Sequence, residues 1–97
     1  MQIHTTTRHC ELDADVRQFV QARLEKFERL ARDIHEARLV VTGEKFRHTA
    51  EIALRLNQRE LVSREEATEA RIAIDRAADH IEEQLRRLKD RRLDRSQ

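Results

Sequence analysis

The spacing of apolar residues changes period twice along this chain of 97 residues. From Val16 onward they return every three or four positions, through Phe19, Val20, Leu24, Phe27, Leu30 and Ala31. That spacing builds a helix with one buried stripe, from about Ala14 to Arg32. From His48 to Leu56 the pattern alternates instead. Ala50, Ile52, Leu54 and Leu56 face one way, and Thr49, Glu51, Ala53 and Arg55 the other. A strand with a single covered face reads this way. Helical spacing then resumes near Thr68, where Ile74, Ala77, Ala78, Ile81, Leu85 and Leu88 form a second stripe running to about Arg92. Each one-sided element needs an apolar partner, so the helices must pack on the strands.

The remaining segments supply the rest of a sheet. Gln2–Arg8 is rich in β-branched residues and reads as a short strand. Asp13 is placed to cap the first helix, with Glu11 and Asp15 adding negative charge at its start. Residues 37–42 (Ala-Arg-Leu-Val-Val-Thr) form a second strand, closed by a turn at Gly43-Glu44-Lys45. After the alternating strand, Asn57-Gln58-Arg59 makes a tight turn and Glu60 to about Arg64 returns as a fourth strand. Glu65, Glu66 and Glu69 suit the start of the last helix. The expected order is β-α-β-β-β-α, an α+β two-layer sandwich with a four-stranded sheet covered on one face by two helices. With one Gly and no Pro there is no linker or repeat, and residues 1–97 are expected to form a single domain.

Charged residues are 40% of the chain and the formal net charge is only +1, but the charge is segregated. Residues 86–97 carry six cations and two anions, whereas residues 1–85 carry fourteen cations and seventeen anions. A basic tip on a mildly acidic body orients a protein toward a polyanion. On the first helix, Arg23, Lys26, Arg29 and Arg32 recur every third position. Each step turns the helix by about 300°, so they trace a slanted ridge beginning beside the apolar stripe. Arg23 is expected to pack its stem on that stripe and reach solvent with its guanidinium. Arg86, Arg87, Lys89, Arg91 and Arg92 make a denser run at the end of the last helix, and guanidinium groups suit bidentate phosphate contact. A solvated helix face is the plain alternative for either run.

Few residues are left for chemistry. There is no Trp or Tyr, Phe19 and Phe27 belong to the core stripe, and only Phe46 stands apart, so base stacking on paired sheet aromatics is not expected. His9-Cys10 lacks the spacing of a metal site, no base is spaced to activate the Cys10 thiol, and no Gly-rich phosphate loop is present. The expectation is a cytoplasmic protein that is not an enzyme, with no cofactor or metal, no small-molecule substrate and no membrane association.

Several stretches resemble one family across nearly the whole chain. Arg8-His9-Cys10-Glu11-Leu12-Asp13 leads into Val16-Arg17, followed by residues 20–27 (Val-Gln-Ala-Arg-Leu-Glu-Lys-Phe). His48-Thr49-Ala50-Glu51-Ile52-Ala53-Leu54, Ala73-Ile74-Asp75 and residues 84–91 complete the series. In order and spacing these resemble the ribosome hibernation promoting factors, also called ribosome-associated inhibitor or sigma-factor modulation proteins. The resemblance implies binding to the small ribosomal subunit between head and body, in the channel for mRNA and tRNA, with translation blocked and basic helix faces on rRNA. Carried over by position, Arg23 and Lys26 fall where the family's first-helix motif has cations, and Arg86, Arg87, Lys89, Arg91 and Arg92 fall in its basic C-terminal stretch; with Arg29 from the basic ridge these are the expected RNA-binding residues. Where the family has an acidic residue, an apolar residue and a Tyr before Ala-Ile-Asp, this chain has Glu69, Ala70 and Arg71. The resemblance is to the short form, without the dimerisation domain, so pairing of ribosomes would call on a further partner protein. Two other readings remain open from the residues: a double-stranded RNA binding domain, which shares the α-β-β-β-α core, and a module whose helices dock a protein.

Overall fold

The computed structural model describes the backbone of residues 1–95 and the side chains of residues 1–91. Its elements are β1 (Gln2–Arg8), α1 (Ala14–Leu30), β2 (Glu36–Gly43), β3 (His48–Arg55), β4 (Glu60–Ala67) and α2 (Ala70–Arg95). The strands lie in the order β1-β2-β3-β4. α1 crosses over between β1 and β2, which makes that pair parallel, while the two hairpins make β2–β3 and β3–β4 antiparallel. The sheet is therefore mixed, and the expected β-α-β-β-β-α sandwich is the architecture observed.

The alternation read from the sequence sets the sheet's two faces. Ala37, Leu39 and Val41 of β2 sit opposite Leu54, Ile52 and Ala50 of β3, and all six are fully buried. Leu24 and Phe27 of α1 and Ile74, Ile81 and Leu85 of α2 join the same core. The other face of the sheet is uncovered, with Arg38, Glu51, Arg55 and Arg64 exposed. β4 is an edge strand, and α2 shields it. Ser63 Oγ donates to the Ala77 carbonyl at 2.7 Å, and Gln84 Nε2 donates to the Val62 carbonyl at 3.2 Å.

Element ends follow local chemistry. Asp13 caps α1, its carboxylate accepting from the Val16 N–H at 2.8 Å. α1 stops at Leu30 instead of Arg32, because Ala31 is already extended and the chain turns so that Ile34 can bury. β4 continues to Ala67, three residues past the expected end, and α2 begins at Ala70. Glu65 and Glu66 therefore belong to a strand and not to the start of a helix. Each meets a side-chain partner there: Glu65 contacts His80 Nδ1 at 2.8 Å and Glu66 pairs with Arg47 at 3.2 Å. Pairing of β4 with β3 out to His48 outweighs the acidic signal.

Two geometric facts shape the ends of the molecule. α2 has 26 residues and is about 39 Å long. The eight-residue strands beneath it span only about 26 Å. The last turns of α2 therefore project past the sheet, in a molecule measuring 50 × 21 × 20 Å. At the opposite end, the β1–α1 connection crosses Gly43. A Cβ there would lie 2.7 Å from the His9 carbonyl oxygen and 2.8 Å from Cys10 Cβ. His9 itself adopts a left-handed backbone, φ 58°. Gly43→Ala is expected to lower unfolding stability by about 1–3 kcal/mol, because backbone must move to admit one methyl group. Urea unfolding monitored by circular dichroism checks this through a lower midpoint at unchanged slope.

Candidate nucleic-acid interface

The two sheet-facing stripes fix how each helix is rotated, and that rotation decides where the cations fall. Arg23 borders the α1 stripe on the side facing α2. Its side chain is only 15% exposed. Its guanidinium meets Asp75, Asp79 at 2.8 Å and Glu82 at 3.5 Å. These carboxylates recur at steps of four and three residues and so share one face of α2. Glu82 is itself buried, and it also receives Lys26 at 3.4 Å and Arg86 at 4.0 Å. Arg87 pairs with Glu83 one turn earlier, at 2.6 Å. The expected solvent-reaching guanidinium of Arg23 is thus turned onto acids of the neighbouring helix. It ties α1 to α2.

A second set of cations is left without ion pairs among the described residues. Arg29 lies in the last turn of α1, Arg32 follows the helix, Arg59 closes the β3–β4 turn, and Lys89 and Arg91 lie on the overhang of α2. All five line one open groove of about 1180 Å³. Leu30, Ile34, Leu56, Leu85 and Leu88 supply its apolar lining, and Asp33, His35, Asn57 and Gln58 are its remaining polar side chains. The groove exists because α2 outruns the sheet, which leaves space between its last turns, the α1–β2 connection and the β3–β4 turn. Arg29, Lys89 and Arg91 of the expected set are brought together here. Arg23, Lys26, Arg86 and Arg87 are held along the helix pair, and the Arg92 side chain lies outside the described residues. Sequence reading missed Arg59, which looked like a turn residue alone. Only the strand order brings that turn beside residues 29–35 and the end of α2.

The other end of the molecule carries different chemistry. Phe46, at the β2–β3 turn, is 78% exposed, with Lys45 Nζ 5.6 Å from its ring centre. Arg71 lies over the half-buried Phe19 ring at 4.5 Å, a cation–π contact. The Cys10 thiol is half-buried and faces the Val41 carbonyl at 3.6 Å. No group of three or more metal-ligating side chains occurs among the described residues, and no described helix is long and apolar enough to cross a membrane.

A four-stranded sheet under two helices in this order is the fold of ribosomal subunit interface proteins. A protein of that description from Coxiella burnetii superposes with a TM-score of 0.83 at 16% identity, covering 93% of this chain and 99% of the other. The N-terminal domain of Thermus thermophilus Protein Y superposes with a TM-score of 0.80 at 28% identity, covering 91% and 99%. The chain belongs to the Sigma 54 modulation protein / S30EA ribosomal protein family, whose profile matches residues 3–93. A relative named ribosome hibernation promoting factor, from Escherichia coli K12, is 31% identical over 91 residues, 94% of this chain and 96% of that protein. A protein of the same name from Azotobacter vinelandii is 26% identical over 97 residues, 100% of this chain and 91% of the relative.

The Glu82 hub makes opposite demands on stability and on polyanion binding. Glu82→Gln is expected to cost about 1–3 kcal/mol of stability, because Arg23 loses one of its three carboxylates in a buried setting. The same change releases Lys26 and Arg86 and should tighten binding to a polyanion such as heparin. Thermal unfolding and heparin-column retention measured on one preparation check both directions.

Proposed function

We propose that this protein is a ribosome hibernation factor. In this reading it binds rRNA of the small ribosomal subunit within the channel used by mRNA and tRNA, and it blocks translation by occupancy, without catalysis. The carrying observation is the gathering of Arg29, Arg32, Arg59, Lys89 and Arg91 at one end of the domain, free of acid partners among the described residues. Family membership and the names of the relatives supply the ribosomal context. Arg86 and Arg87 extend the basic surface along α2, since their pairing to Glu82 and Glu83 is an exposed i,i+4 contact on the arginine side and weak in water. Arg23 acts in this account by holding α1 against α2. Lys26 sits between the two roles. The reading implies a cytoplasmic location.

Co-sedimentation of purified protein with small subunits tests the proposal. About five phosphate contacts correspond to a slope of log affinity against log salt of roughly −4. The double variant Arg29→Glu/Lys89→Glu should stay folded and lose co-sedimentation at physiological salt. Lys26→Glu/Arg87→Glu should weaken it less. Retained binding in the folded Arg29→Glu/Lys89→Glu variant counts against this surface. Equal affinity for plain duplex RNA and for subunits would favour a double-stranded RNA binding domain, and a slope near zero would favour a protein-docking module.

A further inference from the structure

The two edges of the sheet are built differently, and β1 is the one left open. β1 and β4 are the outer strands. The Gln2 N–H donates to the His35 carbonyl at 3.0 Å, and Gln2 lies in register with Glu36. Successive residues of a strand point their N–H and C=O groups to alternate sides, so Gln2, His4, Thr6 and Arg8 bond toward β2. Ile3, Thr5 and Thr7 aim theirs outward, and these groups have no hydrogen-bond partner among the described residues. Native edges are commonly blunted by a lysine, a proline, a bulge or a short strand. β1 has none of these. It pairs with β2 without interruption over all seven residues, and its sequence Gln-Ile-His-Thr-Thr-Thr-Arg carries one arginine, at the end. The β4 edge differs. The same alternation, counted from the Leu56–Arg59 bond, turns the Val62 carbonyl outward, and Gln84 Nε2 occupies it at 3.2 Å. Glu60, Arg64 and Glu66 also stand along that strand.

We propose that β1 pairs antiparallel with β1 of a second copy of this chain, about a two-fold axis at Thr5, to join the two sheets into one. In an antiparallel ladder, a hydrogen-bonded pair exchanges both of its N–H···O bonds. With Thr5 on the axis, Thr5 faces Thr5 of the second copy and Ile3 faces Thr7 on either side, so every outward group of the strand is used. This is the register that pairs all seven residues. A two-fold contact must be self-complementary. Here Arg8 falls opposite Gln2 and His4 opposite Thr6, so no like charges meet, and β-branched threonines face each other on the axis. Pairing of β1 with β4 of another copy would instead propagate without closing, and Gln84 on the Val62 carbonyl opposes it. The seam is about 24 Å long. At a depth of about 10 Å it buries roughly 500 Å² in all, well below the ~1,200 Å² of stable complexes, so the dimer is weak and forms at high concentration. It holds no ion pair and responds little to salt. The inference stands apart from the ribosomal reading.

The test uses the full chain at rising concentration. In sedimentation equilibrium its mass should climb from the monomer value toward twice that value, with half of the protein paired at roughly 0.1–1 mM. Nuclear magnetic resonance should show the amide protons of Ile3, Thr5 and Thr7 exchanging more slowly as concentration rises, while those of Gln2, His4 and Thr6 stay unchanged. Thr5→Lys sets like charges against each other on the axis and should keep the protein monomeric. Thr5→Pro removes an outward donor without breaking a β1–β2 bond and should do the same. Circular dichroism checks that both variants are folded. In a Cys10→Ser background, Thr5→Cys should form an interchain disulfide under mild oxidation, because the paired Cα atoms lie about 5.5 Å apart. Thr7→Cys should not, because the two copies of residue 7 lie about 14 Å apart in this register. A mass that stays monomeric to about 1 mM would overturn the proposal. So would association that both variants leave unchanged, growth past the dimer, slowed exchange confined to other amides, or linkage through Thr7→Cys as ready as through Thr5→Cys.

Discussion

Burial of one sheet face under two helices is the constraint from which the rest follows. Leu39, Ile52 and Leu54 can leave water only if Leu24, Phe27, Ile74 and Ile81 come down on them. That requirement fixes the rotation of both helices about their axes. Once rotated, α1 has no choice about where Arg23 points, and α2 none about Asp75, Asp79 and Glu82. The charged seam between the helices is a consequence of the apolar one beneath it. Its contribution is to align the helices, and because Arg23 and Glu82 are largely out of water, removing one partner costs stability even where the intact pair adds little net energy.

The same constraint sorts the cations into two populations. Those near the middle of the helix pair fall within reach of acids and are largely neutralised. Those past the end of the sheet make no ion pair among the described residues, because the sheet ends and α2 continues, and Asp33 is the acid that lines their groove. A count of charges by sequence position therefore overstates Arg23 and passes over Arg59. The local electrostatic field belongs to the end of the molecule where the second population gathers, and at physiological salt it reaches only about 8 Å into solution. A partner must come into contact to feel it, which suits a closely fitting cleft better than long-range steering.

Much of the fold was legible because its signals are local and periodic. The stripes of α1 and α2, the alternation through Ala50, Ile52 and Leu54, and the cap at Asp13 each needed only near neighbours in sequence. The misplacements came where a distant partner decided the outcome. Glu65 and Glu66 carry a helix-start signal, yet they pair with β3 and meet His80 and Arg47. Arg32 continues a helical pattern, yet burial of Ile34 bends the chain away first. The candidate site was legible in part for the same reason. Its helical cations were visible as runs, whereas the pairing of Arg23 across 52 residues to Asp75, and the arrival of Arg59 from another layer, depend on topology.

The central claim is that the unpaired cations at the overhanging end of α2 make the contact with the ribosome. Chemical modification of arginine and lysine side chains, read by mass spectrometry with and without bound small subunits, addresses it most directly. The account requires Arg29, Arg32, Arg59, Lys89 and Arg91 to lose reactivity on binding while Arg38, Arg55 and Arg64, on the uncovered sheet face, keep theirs. Protection of the sheet-face arginines with undiminished reactivity at the groove would contradict it.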